Sequence, residues 1–171
     1  AGNFYADPLV LLPGVAGATN LARMYGNVSA AIRAHDDRHL IFYEPVTWGM
    51  LFNGKIAGSG FSEVPGGPSY RNRSAFSYHY YCATFVPGWQ QKPELQKLVC
   101  DDVTGPLVFA AVEKDLAQLG GAQMMTEGIA CTDNNTECAT VMGMLDKHLF
   151  SWTSYAASQG PAFAPSPAMR G

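Results

Sequence analysis

Residues 105–127 read GPLVFAAVEKDLAQLGGAQMMTE, and this stretch decides the fold class. Helical periodicity runs from Gly105-Pro106-Leu107-Val108-Phe109 through Asp115-Leu116-Ala117-Gln118-Leu119. Pro106 suits a first helical turn, where its missing N–H costs nothing, and Gly120-Gly121 suits the stop. A strand follows at once, Ala122-Gln123-Met124-Met125-Thr126, and it ends in Glu127-Gly128. A helix that stops on two glycines and returns as a short apolar strand is one step of an α/β alternation.

The same step recurs on either side. Upstream, residues 20–35 carry Leu21, Met24, Val28, Ala31 and Ile32 on one face of a 3.6-residue period, which predicts an amphipathic helix. Leu40-Ile41-Phe42-Tyr43 follows as a strand buried on both faces and stops at Glu44-Pro45. Residues 45–73 lose all periodicity and hold many glycines and prolines, which predicts a long loop over a site. Its aromatics Trp48, Phe52, Phe61 and Tyr70 are expected to line a groove. A second strand is Ser74-Ala75-Phe76-Ser77-Tyr78-His79-Tyr80-Tyr81. Downstream, a helix from Thr136-Glu137 to His148 leads to a strand over Phe150-Ser151-Trp152-Thr153-Ser154-Tyr155. Alternating strands and helices make a parallel sheet covered by helices, with chemistry at the carboxyl ends of the strands. Those ends carry Glu44, His79 with Tyr81, Glu127 and Trp152.

Composition narrows the partners. The chain has 171 residues, 47% of them hydrophobic and only 15% charged, with a formal net charge of -3 and no run of Lys or Arg. It carries enough apolar material for a packed core, and its charge argues against nucleic acid and against an anionic membrane surface. No apolar stretch is long enough to span a bilayer, so no transmembrane segment is expected. No glycine pattern forms a phosphate cradle, the four cysteines lack zinc spacing, and neither metal nor cofactor is expected. The cysteines, with the sequons Asn27-Val28-Ser29, Asn72-Arg73-Ser74 and Asn134-Asn135-Thr136, favour a secretory route, extracellular or lysosomal, over buried thiols in the cytosol. Three pairings are open; the sequence-local ones, Cys82 with Cys100 and Cys131 with Cys138, need the least rearrangement. The first residue is Ala1, no signal-peptide pattern opens the chain, and the sequence reads as part of a longer protein.

No serine sits in a G-x-S-x-G elbow and no cysteine has a neighbouring histidine partner. Carboxylates with aromatic and imidazole support suit glycoside hydrolysis, where an acid and a nucleophile flank an oxocarbenium-like centre.

Here a resemblance becomes specific. Ile41-Phe42-Tyr43-Glu44-Pro45-Val46-Thr47-Trp48-Gly49, Ser77-Tyr78-His79-Tyr80-Tyr81-Cys82 and Met124-Met125-Thr126-Glu127 resemble segments of endoglycoceramidases, members of glycoside hydrolase family five. Asn3-Phe4-Tyr5-Ala6-Asp7-Pro8-Leu9 and Leu12-Pro13-Gly14-Val15-Ala16-Gly17 resemble the stretch after that family's acid/base strand. The resemblance covers residues 1 to about 155 and implies a partial (β/α)₈ barrel, strands five to eight with their helices. It places the half-barrel in residues 1–160, with a loose Pro/Ala-rich tail at 161–171; a whole barrel of this kind needs ~250 residues. It implies a retaining enzyme whose substrate is a glycosphingolipid or another β-glycoside, cut between glycan and ceramide. By the same resemblance Glu127 is the nucleophile, His79 and Tyr81 position it, and Trp152 is the floor under the reacting sugar. Glu44 and Trp48 are expected on the substrate side.

Two departures accompany this. A retaining enzyme needs two carboxyl groups about 5–5.5 Å apart. The family's acid/base lies in an Asn-Glu-Pro, which is absent here, since Tyr43 precedes Glu44-Pro45. The chain alone is therefore expected to be inactive. The family's Thr-Glu-Phe-Gly also reads Thr126-Glu127-Gly128-Ile129, removing an aromatic support. The alternatives are a related family-five enzyme acting on a sterol glucoside or polysaccharide, and a non-catalytic glycolipid-binding pseudoenzyme.

Overall fold

The computed structural model describes residues 8–46, 58–81, 93–128 and 136–153. Strands β1 (Ile41–Tyr43), β2 (Ser74–His79), β3 (Ala122–Glu127) and β4 (Ser151–Trp152) form one parallel sheet in the order β1-β2-β3-β4. In β1 and β2, Ile41 lies opposite Ser74 and Tyr43 opposite Phe76. Parallel neighbours in sequence order need a crossover each time, as the alternation predicted. β2 stops at His79 rather than Tyr81, and β4 covers Ser151 and Trp152, residues 154 and 155 of the expected strand lying outside the described residues. The loop expected over 45–73 closes on a 3₁₀ turn at Pro68–Arg73, and residues 47–57, with Trp48 and Phe52, lie outside the described residues. So does the expected tail at 161–171.

The helices are longer than their periodicity indicated. Helical backbone runs from α1 (Pro13–Ala16) through a π-helical turn, Gly17–Leu21, into α2 (Ala22–Arg33). It runs again from α3 (Pro93–Gln96) through a π-helical segment, Lys97–Thr104, into α4 (Gly105–Leu119). Pro106 therefore does not open its helix. Proline cannot donate to the carbonyl four residues back, and its ring crowds that carbonyl, so a widened π turn just before it is where a helix accommodates it. The last helix, α5, spans Thr136–Lys147.

Contacts divide the chain into two compact units, residues 1–78 with 107–124 and residues 79–106 with 125–171. In the first, Tyr43, Val64, Phe76, Tyr78, Val108, Phe109, Val112 and Leu119 are fully buried. Each such side chain contributes about 1.5–3 kcal/mol on leaving water. Tyr43 meets Phe61 and Phe76 edge-on, with ring centroids 5.3 and 5.5 Å apart, and Tyr25 stands edge-on to Phe61 at 6.0 Å. Burial, with the Asp115 carboxylate nearby, pushes the Tyr43 phenol above its ordinary titration range. Phe61 is thus core rather than groove lining, and Tyr70 is covered by the Arg33 guanidinium 5.0 Å from its ring centre. Both corrections have one cause: an aromatic in a glycine-rich segment still goes where apolar area is buried.

The expected inner face of α2 points outward. Met24, Val28 and Ile32 are 45%, 49% and 41% exposed, while Ser29 is buried. The reason is backbone-close packing in the helical run and the loop it meets. A Cβ on Gly17 would stand 1.8 Å from the Ser59 carbonyl oxygen, and one on Gly60 (φ +72°) 2.1 Å from that of Gly14. Small residues let the chain approach this closely, so the small side of the helix faces in. The Ser59 N–H donates to the Asp115 carboxylate of α4 at 2.9 Å, which pins the loop.

The end of α2 is fastened by charge. Arg33 donates to the carbonyls of Asp36, His39 and Arg73, and Arg73 reaches back to that of Asp37. Asp36 accepts from the backbone N–H groups of Arg38 and His39 and from the His39 ring. Chiefly those two N–H groups hold its carboxyl down at about 2, below the ordinary value of 3.8.

The second unit packs Tyr80, Cys100, Met125, Val141 and Leu145. Gly105 permits a close approach, since a Cβ there would meet Met144 Cε at 2.6 Å and the Cys100 carbonyl oxygen at 2.7 Å. Cys100 is disulfide-bonded; the side chains of Cys82, Cys131 and Cys138, and with them the expected pairings, lie outside what the structure describes. Among the described residues no helix is long and apolar enough to cross a membrane.

Candidate active site

The second unit brings together three of the residues singled out from sequence. The Tyr80 N–H donates to the Glu127 carbonyl at 3.1 Å, which sets the register where β2 and β3 end. Side chains on extended backbone alternate, so His79 and Tyr81 go to one side and Tyr80 to the other. Tyr80 turns into the core, where its hydroxyl lies 3.0 Å from Thr104 Oγ1 and 3.3 Å from the Cys100 carbonyl. His79 and Tyr81 turn to Glu127. The Tyr81 hydroxyl donates to Glu127 Oε2 at 3.0 Å, and His79 Nδ1 lies 3.3 Å from the same oxygen.

The Tyr81 phenol and the His79 ring thus both stand at one carboxylate oxygen, Tyr81 as its hydrogen-bond donor. The Glu127 side chain is 37% exposed and that of His79 19%, so the carboxylate is gripped from one side and reachable from the other. Chemically this is a positioned, solvent-facing carboxylate able to act as nucleophile, base or hydrogen-bond acceptor.

The ground beneath Glu127 is built from residues that the sequence reading did not single out. Gly128 is buried, and a Cβ there would lie 2.6 Å from Met125 Cε and 3.2 Å from Met125 Sδ. Met125, 2% exposed, thus takes the volume next to Gly128. A thioether adapts to irregular gaps of this kind. At β4, the Thr153 N–H donates to the Met125 carbonyl at 2.8 Å and its hydroxyl to the Thr126 carbonyl at 2.7 Å. Trp152, half-buried, is held next to this clasp. Thr153 lay in view beside Trp152, but nothing local marks a threonine as a clasp.

Glu44 belongs to the first unit, just past β1. Its N–H donates to the Tyr25 hydroxyl at 3.1 Å, and the Ser77 hydroxyl donates to its Oε2 at 3.3 Å. Trp48 lies outside the described residues. Among the described residues no three His, Cys, Asp or Glu side chains gather as metal ligands would.

Parallel strands with intervening helices, and a gripped carboxylate where the strands end, define a barrel-type α/β protein with a carboxylate-centred site. The chain belongs to glycoside hydrolase family 5, the cellulase family, whose model matches residues 10–160, and the fold is accordingly part of a (β/α)₈ barrel. It is 34% identical over 158 residues to an endoglycoceramidase of Cyanea nozakii, covering 91% of this chain and 27% of that protein. It is also 34% identical over 151 residues to an endoglycoceramidase of Hydra vulgaris, covering 88% of this chain and 25% of that protein. The chain thus spans about a quarter of the length of these relatives.

Proposed function

We propose that this chain is the nucleophile-bearing part of a retaining β-glycosidase that separates the glycan of a glycosphingolipid from its ceramide. The observation that carries the reading is the Tyr81 hydroxyl's donation to Glu127 Oε2, with the His79 ring 3.3 Å from the same oxygen. Family membership and two relatives named endoglycoceramidase support the substrate class.

In this mechanism Glu127 attacks the anomeric carbon and forms a glycosyl-enzyme, while a separate carboxylic acid protonates the ceramide oxygen as it leaves. Water, deprotonated by that second group, then displaces Glu127. Tyr81 and His79 fix the carboxylate so that little reorganisation precedes attack. Trp152 offers an indole face to the apolar side of the sugar and to the positive charge that develops there. Glu44 and Trp48 are assigned to substrate contacts on the sequence resemblance alone. The acid/base is not among these residues, so the 171-residue chain by itself should not turn over substrate.

The test uses the full-length protein. A glycoside fluorinated beside the anomeric carbon slows breakdown of the covalent intermediate; the sugar should be found on the peptide containing Glu127, and Glu127→Gln should abolish release of ceramide. Labelling of another carboxylate, or turnover by the Gln variant, overturns the assignment. Ceramide glycosides, sterol glucosides and polysaccharides compared side by side test the substrate class, which fails if either of the last two is preferred.

A further inference from the structure

The sequons Asn27-Val28-Ser29 and Asn72-Arg73-Ser74 share one structural peculiarity. Both asparagines are exposed, Asn27 on the outer side of α2 beside Val28 and Asn72 in the 3₁₀ turn that leads into β2. Both serines are 1% exposed, and neither hydroxyl has a hydrogen-bond partner among the described residues. A buried hydroxyl without a partner destabilises a fold relative to alanine of nearly the same size. Packing therefore does not explain serine at either place. The sequon does, because its hydroxyl is read on the unfolded chain, before burial. The disulfide at Cys100 is an independent sign of the oxidising route along which sequons are read.

We propose that Asn27 and Asn72 carry N-linked glycans. The asparagine Nδ2 forms a bond to the anomeric carbon of an oligosaccharide held on a lipid pyrophosphate. The sugar–pyrophosphate bond breaks, the pyrophosphate leaves with the electron pair, and the amide proton is lost. Asn72 lies in the turn just before β2, and His79 closes that strand. A glycan on Asn27 would cover exposed Met24 and Val28.

The test does not depend on the glycosidase reading. The full-length protein is secreted from a eukaryotic host and treated with an amidase that removes N-glycans and converts glycosylated asparagine to aspartate. Peptide mass mapping should find aspartate at positions 27 and 72. Asn27→Gln and Asn72→Gln should each lose one step of gel mobility, Ser29→Ala and Ser74→Ala should lose the same steps, and Ser74→Thr should keep its step. After deglycosylation the two alanine variants should melt no lower than the parent chain. Unmodified asparagine at both positions in secreted protein overturns the proposal, and a lower midpoint for both alanine variants overturns the argument from the buried hydroxyls.

Discussion

Tyr81→Phe is the sharpest test of the site, because it removes one oxygen atom and leaves the ring. The lost bond is the 3.0 Å donation to Glu127 Oε2. Hydrogen bonds to charged groups contribute about 1.5–3 kcal/mol. The Glu127 side chain is 37% exposed, so water can replace the phenol in the resting enzyme, and the lower end of that range applies. Taken as transition-state stabilisation, ~1.5 kcal/mol is about a tenfold loss in kcat/KM. The loss should fall on kcat rather than KM, since in the proposed mechanism Tyr81 orients the nucleophile. His79 Nδ1 lies 3.3 Å from the same oxygen, so each group should partly cover for the other. The double variant His79→Ala/Tyr81→Phe should then lose more than the product of the single losses, a coupling of about 0.5–3 kcal/mol. The assay is steady-state release of ceramide by the full-length protein, with thermal midpoints measured alongside. If Tyr81→Phe leaves kcat/KM unchanged while Glu127→Gln abolishes it, the grip plays no part in catalysis; if the two single losses simply multiply, the shared oxygen is not a shared function.

Other outcomes follow from the packing. Restoring the family's aromatic by Gly128→Phe should destabilise by about 1–3 kcal/mol, because its Cβ would already stand 2.6 Å from Met125 Cε. Adding Met125→Ala should recover part of the thermal midpoint, and an unchanged midpoint in the single variant contradicts the volume argument. Asp36 titrates near 2 when folded against 3.8 ordinarily, so its stabilisation is complete above pH 3.8 and is lost as the pH falls toward 2. Asp36→Asn should flatten the pH dependence of the midpoint in that window only; a difference appearing above it instead refutes the assignment. β1 lies at the edge of the sheet with Leu40 52% and Phe42 47% exposed, so the 171-residue chain alone should self-associate as concentration rises. Phe42→Lys should weaken that association by light scattering, and a chain monodisperse at every concentration contradicts it.

The alternation of elements was legible because its signals are local: glycines after a helix, proline after a strand, and a change of apolar period between them. Glu127, His79 and Tyr81 were legible as strand-end residues because strand ends collect chemistry in parallel sheets, and their association was implied by the family resemblance. The reach of the second helical run was hidden because Pro106 reads as the opening of a helix, where the structure instead widens a turn just before it. The exposed stripe of α2 was misread because periodicity defines a face without saying which neighbour arrives. That depends on how closely Gly17 and Gly60 let distant backbone approach.

By itself, then, the sequence determined the class of fold, the order of strands and the residues that meet at Glu127. The first two follow from patterns a few residues long and from the rule that parallel neighbours are joined by crossovers, whereas the meeting at Glu127 was implied by the family resemblance. Only tertiary structure decided that the Tyr81 phenol and the His79 ring meet one oxygen of Glu127, that Met125 fills the space beside Gly128, and that two sequon serines are buried while their asparagines face solvent. These are matters of distance and direction between segments far apart in the chain. They are set by how close-packed surfaces fit, and no local pattern encodes that.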